Sequence, residues 1–319
     1  MTTAVGVIGL GRMGLPIATT LKTAGFDVWG TSRSTEARLK AAGTGLSILD
    51  TPAEVSGMAS YILISVRDTA AVLSVVRGDA GVLSTLRTGC VVVDLGNTEL
   101  VATLALARDV GRYGAFLVDA PVSGGPGEAA AGTLSMMAGG AADAVGQVAP
   151  VLNCLGRLNH VGDVGAGQSA MAVHQLILGQ ALVALAEGVV LARSLHLDPS
   201  AVLEAVVGGI SSSHILERLG KRMTQERFSS DGSLAAMNRD LGRILELARD
   251  AGLPLPGLRL ASALYGRAVS LGMSGLDKSA IIRLCGIPAA DPATMKTATL
   301  IDRDQIARGW WSFKDGVAP

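Results

Sequence analysis

Several short stretches of this chain hold residues whose types and spacing could do chemistry. The first is VGVIGLGRMG, which sets Gly9, Gly11 and Gly14 in the spacing G-x-G-x-x-G between an apolar run and a helix-like segment. In such a turn the first glycine permits a sharp bend, the second lets the backbone approach a pyrophosphate, and the third allows close packing of helix on sheet. The helix that follows offers unpaired N–H groups and the positive end of its dipole to phosphate oxygens. Pro16 falls in its first turn, where a missing N–H costs nothing. Glycine triplets also arise by chance in a chain with 41 glycines, so the strand–turn–helix context is what makes this one an expected dinucleotide site. Leu10, Arg12 and Met13 within the loop, with Ser65 and Val66 at the end of the third expected strand, complete the cofactor set.

The end of the second expected strand reads TSRS, so Ser32, Arg33 and Ser34 stand where an NAD site usually places a carboxylate for the ribose 2′-hydroxyl. A guanidinium there can pair with a 2′-phosphate, and two hydroxyls add donors, so NADP(H) is the expected cofactor; the bland alternative is a solvated loop arginine. DLGNTEL ends the fourth expected strand at the carboxyl edge, where open α/β sheets bind ligands, and Asn97 and Thr98 there are expected to hydrogen-bond a nicotinamide, ribose or substrate group, with a plain turn as the competing account. In DAPVSGGPGEAAAGTLSMMAGG, Ser123, Gly124 and Gly125 supply a hydroxyl and closely spaced amides, a nest for a carboxylate or other anion. In GAGQSAMAVHQ, Met171, His174 and Gln175 share one face of a helix that opens on a glycine turn. Methionine is a versatile core filler, so Met171 is either packing or an apolar wall facing substrate. His174 is the titratable group of the set, with a satisfied interior histidine as its alternative.

These residues need elements to hold them. Ala4–Ile8, Val28–Gly30, Ile62–Val66, Val91–Asp94 and Phe116–Ala120 are short, apolar or β-branched runs, with Leu134–Ala138 and Leu158–Val161 after them. Ala37–Ala42, Ala70–Val76 and Leu100–Tyr113 read as helices between them, and that alternation predicts a parallel, doubly wound α/β sheet of Rossmann type over residues 1–164. Residues 165–319 show only helical patterns, broken at Asp198-Pro199, Gly208-Gly209, Ser211–Ser213, Ser229–Ser233 and Pro254-Leu255-Pro256. This all-α domain begins with a long apolar helix over about 168–195 that joins the two, and residues 286–319, with Trp310 and Trp311, read as an extra tail.

Composition bounds the partners. The chain has 319 residues, 49% hydrophobic and 17% charged, which is ample for two cores. Lysine plus arginine and aspartate plus glutamate number 27 each, so no basic excess points to nucleic acid or an anionic membrane. Three scattered cysteines fit neither a disulfide framework nor a metal site, so no metal and a reducing, cytoplasmic setting are expected. The uncharged run from Ser169 to Ala186 approaches the length of a bilayer span. It is interrupted by His174, Gln175 and Gln180 and lacks an aromatic belt, which favours a helix buried in a core or subunit interface.

The combination of GVIGLGRMG, DAPVSGGPGEAAAGTLSMMAGG, GAGQSAMAVHQ and GLDKSA, in order over about residues 4 to 285, resembles the β-hydroxyacid dehydrogenases. That family includes the 3-hydroxyisobutyrate dehydrogenases and tartronate semialdehyde reductases, with 6-phosphogluconate dehydrogenases and imine reductases as relatives. The resemblance implies an oxidoreductase of a small substrate, a Rossmann domain, a long interdomain helix, and a helical domain that pairs in a homodimer. It carries the substrate loop onto Ser123, Gly124 and Gly125, and a lysine–aspartate pair onto Arg239 and Asp240. Asn97 matches the imine reductases and the 6-phosphogluconate dehydrogenases.

The family's catalytic lysine falls on Met171, its asparagine on His174, and the glutamate acid of the 6-phosphogluconate enzymes on Leu178. Hydride addition to a carbonyl needs a proton for the oxygen, and a thioether has none to give. Three outcomes follow: His174 takes over in a 3-hydroxyacid dehydrogenase; the substrate is an iminium that arrives protonated; or the protein binds NADP without turnover. The missing lysine and Asn97 tilt the sequence reading toward imine reduction.

Overall fold

The computed structural model describes residues 3–229 and 232–285, in two compact units that meet in sequence between His174 and Gln175. The tail at 286–319 lies outside the described residues.

The first unit is built on one sheet of nine strands: β1 (Ala4–Ile8), β2 (Asp27–Thr31), β3 (Ser47–Ile48), β4 (Tyr61–Ile64), β5 (Val91–Asp94), β6 (Phe116–Asp119), β7 (Val122–Ser123), β8 (Leu134–Gly139) and β9 (Gly156–Gly162). The order β3-β2-β1-β4-β5-β6 is parallel throughout, with the crossover beside β1 that puts a ligand crevice at the strands' carboxyl ends. β8 then runs antiparallel to β6 and β7 and carries β9 in parallel on its other side. The expected doubly wound sheet is present, with a mixed edge added.

Both faces of the sheet are covered, and successive residues of a strand divide between them, as the two-residue repeat requires. Val5, Val7, Leu63, Val91, Val93 and Val118 join one core; Ile8, Ile62, Ile64, Val92 and Leu117 join the other. Helix α1 (Gly14–Thr23) brings Ile17, Ala18 and Leu21 to the first core. Helices α3 (Pro52–Met58), α4 (Thr69–Arg77) and α5 (Leu100–Gly111) bring Val55, Val72, Val76, Leu106 and Val110 to the second. The remaining helices of this unit are α2 (Thr35–Ala42), α6 (Pro126–Ala131) and α7 (Ala142–Leu152).

Helix α8 (Ala166–Ser194) continues from the first unit into the second and is long and apolar enough, by length and composition, to cross a membrane. Its first turns belong to the Rossmann-type unit, where Gln168 and Met171 are buried. The second unit holds α9 (Pro199–Val207), α10 (His214–Thr224), α11 (Leu234–Asp250) and α12 (Pro256–Ser270), followed by a 3-10 segment over Lys278–Leu284. Its helix starts follow the expected breaks. Asp198, Ser213 and Ser233 each cap a helix through a side-chain oxygen, while Pro199 and Pro256 occupy first turns that need no amide hydrogen.

Candidate functional site

The turn from β1 into α1 is shaped by its glycines. Gly9 has φ +100°, a left-handed conformation that side chains disfavour, and its amide donates to the Thr31 carbonyl at 2.8 Å. A methyl on Gly14 would strike the Gly9 carbonyl, so this glycine seats the first turn of α1 directly on the loop. Gly11 differs: a methyl there would meet nothing of the protein within 4 Å. The protein's own packing does not require glycine at 11, and the space beside it is open to a group from outside. The start of α1 also lacks both a capping side chain and an acid in its first turn, unlike α2, α3 and α4, which Ser34, Thr51 and Asp68 cap. Its amide hydrogens and positive dipole end are left for an anion, so the residues present fit a dinucleotide pyrophosphate.

The individual cofactor residues divide by role. Leu10 is buried in the first core against Gly30, so only its backbone faces the loop, and Met13 is half-buried against the same core. Arg12 and Gly11 are exposed. Ser65 and Val66 follow β4, within reach of a side chain placed at Gly9. Beyond β2, Ser32 is half-buried and Arg33 is exposed. Ser34 uses its hydroxyl oxygen to cap α2, accepting from the Ala37 amide at 3.3 Å, and this bond leaves its hydroxyl hydrogen for another acceptor.

The loop after β5 is held by a group that sequence reasoning passed over. Gln168, in the first turn of α8, accepts from the Thr98 amide through Oε1 (3.1 Å) and donates from Nε2 to the Gly96 carbonyl (2.9 Å). Its two amide ends thus clasp the main chain on either side of Asn97, whose own side chain is exposed. Gln168 is in turn anchored through its backbone amide to Asp119 Oδ2 (2.8 Å), while the Gly165 amide donates to Asp119 Oδ1 (2.6 Å). Asp119 is fully buried at the end of β6, and burial raises its pKa although four backbone amides, led by Gly165, pull the other way. Asp94, level with Asp119 on β5, is pushed up to about 6 by burial and, to a lesser degree, by the Asp119 charge. The Thr98 hydroxyl and the Gly96 amide oppose that rise. The signal for these buried acids was present in the quoted motifs, each of which opens on the aspartate.

The glycine loop after β6 needs a correction. Read as a nest of three groups, it contains a short strand, β7, and the start of α6. The Gly125 amide donates to Glu128 Oε2 at 2.7 Å, because Glu128 at the third helical position reaches back to the open end of α6. That amide is therefore engaged internally, leaving Ser123 and Gly124 for a ligand. Ser123 Oγ lies 3.2 Å from His174 Nε2, which brings the substrate loop and the helix α8 face together. Met171, one turn before His174, is 3% exposed and sits as a buried apolar side chain. Asn97, Ser123 and His174 all belong to the first unit.

In the helical unit, Gln175 Nε2 donates to Asp240 Oδ2 at 2.9 Å, joining two of the expected site residues, while Arg239 is exposed. His160, read as lacking a partner pattern, lies with Nε2 at 2.9 Å from the carbonyls of both Gly140 and Gly162, a structural role at the end of β9. Tyr265 is fully buried and donates to the Lys278 carbonyl at 3.3 Å, so it packs the helical core. Among the described residues no three His, Cys, Asp or Glu side chains gather where a metal could sit.

Comparisons with known proteins bear on the same residues. Residues 4–165 match the model of the NAD binding domain of 6-phosphogluconate dehydrogenase, and residues 165–285 match that described as NAD-binding of NADP-dependent 3-hydroxyisobutyrate dehydrogenase. A 2-(hydroxymethyl)glutarate dehydrogenase from Eubacterium barkeri is 32% identical over 284 residues, covering 88% of this chain and 94% of that one. A 2-hydroxy-3-oxopropionate reductase from Escherichia coli is 33% identical over 280 residues, covering 88% and 96%. Among solved structures, a 3-hydroxyisobutyrate dehydrogenase from Salmonella typhimurium superposes with a TM-score of 0.81 at 26% identity, over 88% of this chain and 99% of that one. An imine reductase from Pseudomonas sp. shares the fold, with a TM-score of 0.58 at 22% identity over 89% and 99%.

Proposed function

Because the chain belongs to the β-hydroxyacid dehydrogenase family of nicotinamide-dependent oxidoreductases, we propose that it interconverts a small 3-hydroxyacid and its carbonyl partner with NADP(H), using His174 as the acid–base group. The observation that carries this reading is the 3.2 Å approach of His174 Nε2 to Ser123 Oγ. It puts an imidazole at the hydroxyl of the substrate loop, on the helix face where the resemblance expects a lysine and the chain has buried Met171. A nicotinamide held at the Gly9–Gly14 turn would supply the hydride chemistry at the substrate carbon. In the oxidising direction His174 takes the hydroxyl proton as that hydride leaves; in the reducing direction the imidazolium returns it to the carbonyl oxygen. Ser123 fixes the imidazole's orientation, and Gln168 holds the loop of Asn97 beside the start of the same helix.

The choice of NADP(H) rests on exposed Arg33 at the end of β2, where a guanidinium can pair with a 2′-phosphate and no carboxylate competes. The exposed stripe Val173, Ile177 and Leu191 along α8 suits burial against a second copy, which supports a soluble homodimer, cytoplasmic in setting, rather than a membrane span.

Replacing His174 by alanine tests the assignment. The turnover of NADP-linked hydroxyacid oxidation should fall by about 10²- to 10⁴-fold with NADPH affinity unchanged. A variant oxidising hydroxyacids at the wild-type rate would overturn it. Imine reduction is the second reading, favoured by Met171 and Asn97, since an iminium needs no lysine to protonate it. Turnover of 2-methyl-1-pyrroline with NADPH, and of no hydroxyacid, would establish that reading instead.

A further inference from the structure

The helical unit holds a lysine that no part of the reaction described above uses. Lys278 opens the 3-10 segment over Lys278–Leu284, and both oxygens of the carboxylate next to it are engaged by other donors. Asp277 Oδ1 accepts from the Ser279 amide (3.0 Å) and hydroxyl (2.5 Å), and Oδ2 accepts from Arg222 Nη1 (3.1 Å). Asp240, the second carboxylate whose field reaches Lys278, accepts from Gln175 Nε2 at 2.9 Å. Arg218 and Arg222 face the same ammonium and repel it. Burial, the largest influence, lowers the Lys278 pKa; Asp277 and Asp240 raise it, and the two arginines lower it further.

Two geometric features give this ammonium a defined place. A methyl on Gly232 would come within 3.2 Å of Lys278 Nζ, so the bare backbone at 232 leaves room for the charge. The far end of the Gln175 amide, Oε1, is buried without a hydrogen-bond partner among the described residues. A half-buried ammonium with no ion pair among the described residues, beside carboxylates already bonded to other donors, is placed to meet a ligand anion. Asp240 is also a residue that the family resemblance carries over, and Gln175 is singled out by its helix face.

We propose that Lys278 is an anion-binding residue of the helical unit that pairs with the carboxylate of a hydroxyacid. The choice of a hydroxyacid rests on the function proposed above; the carboxylate pairing is tested without turnover. The full chain is saturated with NADPH and titrated calorimetrically with 3-hydroxypropionate, 3-hydroxyisobutyrate and glycerate. Protein-bound NADPH and a hydroxyacid are both reduced, so no hydride can move between them. Lys278→Met should weaken the binding acid about ten- to hundredfold with NADPH binding unchanged, and Lys278→Arg should keep most of the affinity. The corresponding uncharged amide should bind wild type as weakly as the acid binds K278M.

Mass spectrometry supplies a wild-type readout that does not depend on a variant folding. The acid, and not its amide, should slow modification of Lys278 by an amine-selective reagent. Equal binding to K278M and wild type, equal protection by acid and amide, or no acid bound at all would each overturn the proposal. Charge-dependent binding at Lys278 without NADP-linked oxidation of any hydroxyacid would leave the carboxylate site standing and remove the dehydrogenase reading alone.

Discussion

Asp94 makes the folded sheet sensitive to pH in a direction opposite to that of most carboxylates. Its ordinary value is 3.8, and burial at the end of β5 lifts it to about 6. Between those values the folded protein keeps a proton that the unfolded chain has lost, so stability falls as pH rises through the window. At about 1.36 kcal/mol per pH unit, the interval corresponds to a loss of roughly 3 kcal/mol, complete above pH 6 and absent below pH 3.8. Asparagine cannot ionise, so Asp94→Asn removes the pH dependence while its carbonyl can still accept from the Gly96 amide, a bond of 2.9 Å in the native loop. Whatever offset the substitution adds, the stability of the variant relative to wild type should improve by roughly 3 kcal/mol between pH 4 and pH 7. Cys90, buried beside β5, reports opening of this unit alone; its labelling by 4,4′-dithiodipyridine, compared between the two proteins at each pH, reads the difference directly. Parallel curves for the two proteins, or a gap that narrows as pH rises, would refute the reasoning.

Other perturbations test separate parts of the site. Gln168→Ala strands the Thr98 amide and the Gly96 carbonyl, and should lower the stability of the first unit by about 2–4 kcal/mol in the same Cys90 assay; a neutral result would show that the clasp holds nothing. Gly11→Ala should leave the thermal midpoint unchanged and weaken dinucleotide binding at least about tenfold, whereas Gly14→Ala should destabilise the apoprotein itself, because its methyl meets the Gly9 carbonyl. The opposite pattern would reverse the roles given to the two glycines. Arg33→Ala should weaken NADPH about tenfold or more and leave NADH nearly unaffected; equal losses for the two would remove the 2′-phosphate contact.

The parallel half of the sheet was legible because its strands are buried on both faces and read as unbroken apolar runs: Ala4–Ile8 and Val91–Asp94 have the expected bounds. Residues with weak pattern were not. Ser47–Ile48 and Val122–Ser123 are strands of two residues, too short for any periodicity, and PGEAAA, assigned to no element, is a short helix whose open end Glu128 stabilises. In the site, Gly9 and Gly14 followed from recognisable spacing, whereas the Ser123–His174 approach joins two motifs 51 positions apart and was not read from them. Gln168 and Asp119 were missed because they bond main-chain atoms distant in sequence, such as Thr98 and Gly165, while Asp94, which bonds the Gly96 amide two residues on, was overlooked inside its own motif. Lys278 lay inside a quoted motif, yet its isolation depends on Asp277 being occupied by Arg222, a pairing across 55 positions.

The Gln168 clasp has a consequence for how this chain can change. Its donor and its acceptor both meet backbone atoms, at Gly96 and Thr98, which every amino acid supplies in the same form. The residue between them, Asn97, and the residues one and two turns along α8, Met171 and His174, can therefore be exchanged without altering the groups that tether loop to helix. Scaffold and chemistry are inherited separately here. A substitution at position 171 or 174 therefore starts from an intact frame.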